Sequence, residues 1–203
     1  FATQFVRAVG WYRGWESSGG DGDSGGGNPG GGPGGPGGPG NGNGGGGSTE
    51  GLFVLDLDGD GIETVSLADA NVWFDVDADL FGEKMGWVRG DDGFLVRDLN
   101  GNGAIDDLTE MFGKAGESGF AALGELDLNG DGVIDVADLV YSELRVWRDR
   151  DGDGVTDAGE LTSLAALGIR SISVNSTELG ATTPQGTWLE GRGSFTWADG
   201  RTG

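Results

Sequence analysis

Residues 149–160 read DRDGDGVTDAGE. A hard divalent cation takes roughly six to eight oxygens, and a loop of the EF-hand type supplies them from alternate positions, with Gly at the sixth for the sharp turn. Here Asp149, Asp151 and Asp153 fill the first, third and fifth places and Gly154 the turn. Val155 offers its carbonyl at the seventh, Asp157 stands at the ninth and Glu160 at the twelfth. An acidic Asp-Gly turn without a ligand would not need all of these at once.

The same pattern recurs upstream. DLNGDGVIDVAD (127–138) places Asp127, Asn129, Asp131, Gly132, Val133 and Asp135 in register, with the shorter Asp138 closing the loop. DLNGNGAIDDLTE (98–110) offers Asp98, Asn100, Asn102, the Ala104 carbonyl and Asp106, but its closing acid, Glu110, comes one step late. That site needs a loop one residue longer than usual, and two neutral amides lower its charge. Two further candidates lie nearer the N-terminus. Asp56, Asp58 and Asp60 precede Gly61, but Leu67 stands where the closing acid belongs. Asp75, Asp77 and Asp79 are followed by Leu80 in place of the turn Gly, with Glu83 beyond. A carboxylate from a neighbouring loop, such as Asp91 or Asp92, would complete either one. The expected cofactor is therefore Ca2+, at the two loops 127–138 and 149–160 and at up to five sites in all.

Composition narrows the chemistry further. Among 203 residues, 34 acidic side chains face 12 basic ones, a net charge of -22 that disfavours nucleic acid and anionic membranes as partners. There is no Cys and no His, which removes disulfides, the usual zinc ligands and any His-based triad. Oxygen ligands remain, and they favour calcium. No stretch is apolar for long enough to span a membrane.

Glycine, 46 residues in all, concentrates in residues 19–49, a Gly/Pro/Asn tract expected to be a disordered, flexible linker. Residues 1–18 read as the end of a preceding segment or a short amphipathic helix, with Phe1, Phe5, Val6 and Val9 near helical spacing. Residues 50–203 form the expected folded module. Within it LFVL (52–55), ETVSL (63–67), VWF (72–74), GWV (86–88) and FLV (94–96) read as strands, as do 171–174, 187–189 and 194–197. Helices are predicted at 108–112, 120–126, 136–144 and 160–167. The sum is an α+β fold, calcium-loaded β-hairpins packed with an EF-hand-like helix–loop–helix pair.

The run GLFVLDLDGDGIETVSL, then FDVDADLFGEKMGWV and DDGFLVRDLNGNGAIDDLTEMFG, resembles the calcium-dependent self-processing module of FrpC-type RTX proteins. The resemblance continues through LDLNGDGVIDVADLVYSELRVWRDRDGDGVTDAGELTSLAALGI to GSFTWADGRTG and covers roughly 51–203. It implies a bacterial protein secreted by a type I system, folding on exposure to extracellular calcium, with other segments of a large secreted protein as partners. It also implies cleavage at an Asp-Pro bond where the module starts. This chain has Glu50-Gly51 there and no Asp-Pro anywhere, so self-cleavage is expected to be absent and no catalytic residue is assigned. Two other readings stand beside the calcium module: autoproteolysis near Glu50-Gly51, and a dockerin-like protein-binding module built on DLNGDGVIDVADL.

Overall fold

The computed structural model describes residues 6–11, 50–113, 117–185 and 187–202. The expected linker, residues 19–49, lies outside the described residues, as do most of residues 1–18.

The chain runs β1 (Val6–Trp11), β2 (Glu50–Leu55), β3 (Thr64–Val65), β4 (Val72–Phe74), β5 (Glu83–Met85), β6 (Trp87–Val88) and β7 (Gly93–Val96). Helix α1 (Gly119–Gly124) follows, then β8 (Val133–Ile134), β9 (Arg145–Trp147), β10 (Leu161–Ser163) and α2 (Leu164–Leu167). Strands β11 (Ile169–Ser173), β12 (Thr177–Thr182), β13 (Trp188–Gly193) and β14 (Phe195–Trp197) complete it. A seven-stranded sheet has the order β10-β9-β7-β2-β1-β13-β12, all antiparallel. A three-stranded sheet β14-β11-β8 and two small ladders, β3-β6 and β4-β5, accompany it.

The LFVL run explains the layering. Leu52, Phe53, Val54 and Leu55 are all essentially inaccessible, because side chains alternate across a strand and both faces of β2 are covered. Leu52 and Val54 enter a core with Phe94, Val96, Trp147, Phe74 and Trp87. Phe53 and Leu55 enter a second core with Leu95, Val146, Phe120, Leu123, Ile172 and Phe195. Strands β7 and β9 split in the same way, so the large sheet is the middle layer between two cores. The first core is aromatic: the Trp87 ring centroid lies 4.8 Å from Phe94 and 5.6 Å from Trp147, distances at which tilted rings attract. Two other tryptophans, Trp73 and Trp188, are exposed.

The expected α+β class is wrong. Strands hold 36% of the chain and helices 11%, and no helix–loop–helix pair exists among the described residues. The two α-helices span six and four residues. The predicted helices at 108–112 and 136–144 contain only the 3-10 turns Leu108–Glu110 and Leu139–Ser142. The 160–167 stretch shows why. Leu161, Thr162 and Ser163 pair with Trp147, Val146 and Arg145, so a helix can start only afterwards. Ser163 caps it by accepting the N–H of Ala166, and Gly168, at φ 78°, ends it one turn later. An apolar period compatible with a helix was overruled by cross-strand pairing that periodicity over so short a run cannot exclude.

Candidate metal centres

The 149–160 loop is a hairpin turn between β9 and β10, with strands where an EF-hand has helices. Asp149 is buried. Its Oδ1 accepts the N–H groups of Gly152 (2.8 Å) and Asp153 (3.3 Å), and its Oδ2 accepts that of Gly154 (2.8 Å). Gly154 holds φ 78°, and a Cβ there would meet Val72 Cγ1 at 2.6 Å, so turn and packing both require glycine. Glu160, also buried, reaches back across the loop. Its Oε1 accepts from Arg150 N–H (2.7 Å) and its Oε2 from Asp157 N–H (3.1 Å) and Trp147 Nε1 (3.3 Å). Burial pushes the Asp149 carboxyl above its ordinary range, partly offset by the Gly154 and Gly152 bonds. Oxygens of Asp149, Asp151 and Glu160 lie within 4.8 Å of one another, as do those of Asp151, Asp153 and Asp157.

The loops 127–138 and 98–110 repeat the backbone part of this wiring, although their carboxylates are not among the groups whose oxygens converge within 4.8 Å. The first Asp accepts from the fourth and sixth residues: Asp127 from Gly130 (2.9 Å) and Gly132 (2.8 Å), Asp98 from Gly101 (2.7 Å) and Gly103 (2.9 Å). The closing acid accepts the N–H of the ninth residue, Asp138 from Asp135 (3.1 Å) and Glu110 from Asp106 (3.0 Å). Glu110, one position late in sequence, is buried and also accepts from Leu99 and Asn100. The longer loop thus brings it to the place its neighbours' closing acids occupy. Side chains inside these loops bond locally: Asn129 Oδ1 accepts from Asp131, Asp131 Oδ1 from Val133, and Asn100 Oδ1 from Asn102. Asp106 Oδ2 accepts from the amides of both Asn100 and Asn102. The carbonyls assigned to Val133 and Val155 start from residues whose N–H groups are tied to Asp131 and Asp153, while the Ala104 N–H is tied to Asn102.

One atom bears directly on whether these residues fit a cation. Asp138 is buried, yet its Oδ1 has no hydrogen-bond partner. An unpaired carboxylate oxygen in such a place costs free energy unless a counter-charge satisfies it.

The two N-terminal loops are built differently. Asp56 is buried at the end of β2 and accepts from Gly59 N–H (2.7 Å), and Asp58 accepts from Asp60 (3.2 Å). No acid of the same loop closes this site. Asp92 does so from the β6–β7 turn, where it is buried and accepts from Leu57 N–H (3.1 Å) and Glu63 N–H (3.4 Å). Oxygens of Asp56, Asp58 and Asp92 lie within 4.8 Å of one another. Burial, with the charges of Asp56 and Glu63 adding to it, pushes Asp92 up to about 8. Burial and the nearby charges of Asp60 and Asp91 push Glu63 up to about 7. The hydrogen bond with Asp58 raises Asp60 as well. Of the two carboxylates named as outside help, Asp92 is the one that arrives, while Asp91 is exposed. The role of Glu63 is not legible in the loop pattern, because it lies outside the ligand spacing.

Around Asp75, Oδ1 accepts from Asp77 and Asp79 and Oδ2 from Leu80 N–H at 2.8 Å. Burial would raise this carboxyl, but the bonds from Leu80, Asp79, Asp77 and Ala78 outweigh it and hold it below its usual range. Glu83 Oε2 accepts from Val76, and Asp75, Asp77 and Glu83 converge within 4.8 Å; Asp79 spends Oδ1 on Phe81 instead. The 98–110 loop touches two others: Leu108 N–H donates to the Asp75 carbonyl, and Ile105 N–H donates to Thr156 Oγ1 of the 149–160 loop, both at 3.0 Å.

Carboxylate oxygens thus converge at 56/58/92, at 75/77/83 and within 149–160, each group on β-turns. The SPM domain matches residues 53–203. The iron-regulated protein FrpA of Neisseria meningitidis serogroup C is 45% identical over 157 residues, which are 73% of this chain and 14% of that protein. The chain thus spans about one seventh of the length of this relative. By the match across most of its length, the chain belongs to the SPM domain family.

Proposed function

We propose that residues 50–203 form a calcium-binding module of a secreted RTX-type protein, one that folds as extracellular calcium reaches it. The supporting observation is the buried Asp138 Oδ1 without a partner, inside one of three loops that share the same wiring. All donors are oxygen, which suits calcium, and the relationship to FrpA fits the secreted, RTX-type setting.

On this reading Asp149, Asp151, Asp153, the Val155 carbonyl, Asp157 and Glu160 hold one ion. Asp127, Asn129, Asp131, the Val133 carbonyl, Asp135 and Asp138 hold another. Asp98, Asn100, Asn102, the Ala104 carbonyl, Asp106 and Glu110 form a less charged site. Asp56, Asp58 and Asp60 with Asp92, and Asp75, Asp77 and Asp79 with Glu83, are the remaining two. Bound calcium supplies positive charge to carboxylates that otherwise repel one another. The backbone N–H bonds pre-orient each first Asp, so little order remains to be imposed on binding. An ion held only by the folded state adds about 2.7 kcal/mol at one hundred times its dissociation constant. Several such ions exceed the margin of an ordinary domain.

Self-processing near Glu50-Gly51 finds less support. Gly51 is buried in β2, pairs with Gly10 and bridges Ser118. A Cβ at Gly113 would collide with the Gly51 carbonyl oxygen, so neighbouring backbone packs tightly on the residue that follows the bond. The dockerin-like reading is no better placed, since 118–170 contributes β9 and β10 to the same sheet as β2. Calcium titration followed by calorimetry and far-UV circular dichroism tests the proposal. Ion uptake and β-structure should appear together. A chelated chain that melts at the same temperature as the calcium-loaded one would refute it.

A further inference from the structure

The matched family region begins at residue 53, but the sheet it builds is not closed by that region alone. Strands β2 and β13 do not pair with each other. Between them lies β1, residues 6–11, contributed from upstream of the match. On one side Val6, Arg7, Ala8, Val9, Gly10 and Trp11 face Leu55, Val54, Phe53, Leu52, Gly51 and Glu50. On the other, Val6, Arg7 and Ala8 face Gly193, Arg192 and Gly191, and after an irregularity Val9 and Gly10 face Leu189 and Trp188. A strand with a ladder on both edges is an interior strand, whose backbone groups are offered partners on both sides except where the β13 register breaks between Ala8 and Val9.

We infer that the cleft between β2 and β13 is a strand-binding site and that residues 6–11 are its ligand, a non-covalent attachment of the upstream polypeptide to the module. Main-chain hydrogen bonds give such a site its affinity, as in other cases where an extended segment is added to a sheet. The sequence of the ligand suits the role. VRAVGW holds β-branched and aromatic residues and no proline, so it can extend and donate throughout. The cleft would be costly to leave empty. Leu52 to Leu55 have both faces buried, so removing β1 would turn an inner strand into an unprotected hydrophobic edge. The covalent route from β1 to β2 runs through residues 12–49, a Gly-rich stretch far longer than a hairpin between adjacent strands needs. The pairing therefore does not depend on that connection. A break anywhere within it leaves the upstream part of the protein docked on the module.

The test uses the full chain, calcium-loaded, with a site for a specific protease inserted within residues 25–40. After cutting, the N-terminal fragment should co-elute with residues 50–203 on native gel filtration and separate only in concentrated urea. In the cut Ala8→Pro variant, which loses a ladder donor and cannot sit in an interior strand, the fragment should elute alone. Immediate release from the unsubstituted cut chain, with the remaining body melting as before, would overturn the inference. Hydrogen exchange on the uncut chain gives a second reading that needs no variant. Amides of 51–55 and 188–193 should both be protected, and exchange of either set at the rate of an open edge would overturn it too.

Discussion

The loop at 149–160 and the loop at 56–63 begin with the same DxDG phrasing and end as different kinds of object. The first closes on itself: Asp149 and Glu160 belong to one hairpin, and the strands it joins are hydrogen-bonded neighbours. The second is closed by Asp92, whose carboxylate reaches Leu57 across 35 residues of sequence. Its two halves lie where β2 passes to β3 and where β6 passes to β7, and β2 pairs with β7 while β3 pairs with β6. A local cage can form with its own turn, whereas a split cage exists only after both ladders are in place. Binding at 149–160 therefore reports on one hairpin, and binding at 56–58/92 reports on the whole first core. The comparison sorts the expected effects of mutation.

The largest loss should come from the local cage. Glu160→Ala removes the acceptor of Arg150 N–H, Asp157 N–H and the buried Trp147 Nε1 together. In calcium it should destabilise by about 3 kcal/mol or more, since a removed buried charge strands its partners. Urea denaturation measures this. Glu143→Ala, which breaks only the exposed pair with Arg97, should stay within about 0.5 kcal/mol. Equal effects for the two would dissolve the distinction between cage and surface acid.

The split cage should respond with opposite signs in the two metal states. Asp92→Asn keeps an oxygen for Leu57 N–H, gives up the longer bond from Glu63 N–H (3.4 Å), and removes a buried negative charge beside Asp56 and Glu63. With calcium present the variant should bind one ion fewer and lose about 2 kcal/mol. In chelator it should melt no lower than the parent, and higher near neutral pH. A drop in both states would mean that Asp92 serves the fold alone.

The pH dependence of the chelated parent follows from the same groups. Asp92, at about 8, and Glu63, at about 7, hold protons in the folded chain that they would release on unfolding. Their contribution to stability is full below the ordinary carboxylate range near pH 4 and is lost as pH rises through about 7 to 8. The melting temperature in chelator should therefore fall between pH 5 and pH 8 by this term, roughly the interval between the ordinary and raised values. Asp92→Asn should remove a large part of the slope. A parent whose chelated melting temperature is flat across that interval would contradict the raised carboxyls.

Ligand spacing was readable because it is local: the first, sixth and closing positions of 98–110, 127–138 and 149–160 could be counted along the chain. The LFVL run likewise announced a strand, though not that both of its faces are buried. What could not be counted was what flanked the loops. Two turns of Leu and Ala near 160–167 fit a helical period, and only the pairing of Leu161 with Trp147, a tertiary fact, decided for a strand. Residues 6–11 were unreadable for the same reason, since an interior strand's place is fixed by partners at 50–55 and 188–193. Asp92 was named as an outside ligand on chemistry, but nothing in the sequence ranked it above the adjacent Asp91.

The smallest effect belongs to the loop that departs furthest from the pattern. Leu80 stands where the other loops have glycine, and it takes a glycine's conformation, φ 75°, to donate its N–H to Asp75 Oδ2. Ala78, two residues earlier, is also left-handed at φ 58°. A non-glycine residue held there costs about 1–3 kcal/mol, and Leu80 recovers little by burial, being 89% exposed. Glycine would remove the strain but gain freedom in the unfolded chain, a cost of about 0.4–1 kcal/mol. Leu80→Gly should therefore stabilise the protein by about 1 kcal/mol, seen as a higher urea midpoint at unchanged slope. If Leu80→Gly lowers the midpoint instead, the leucine supports this fold by more than its φ costs, and strain at this turn is not what sets it apart from the loop at 149–160.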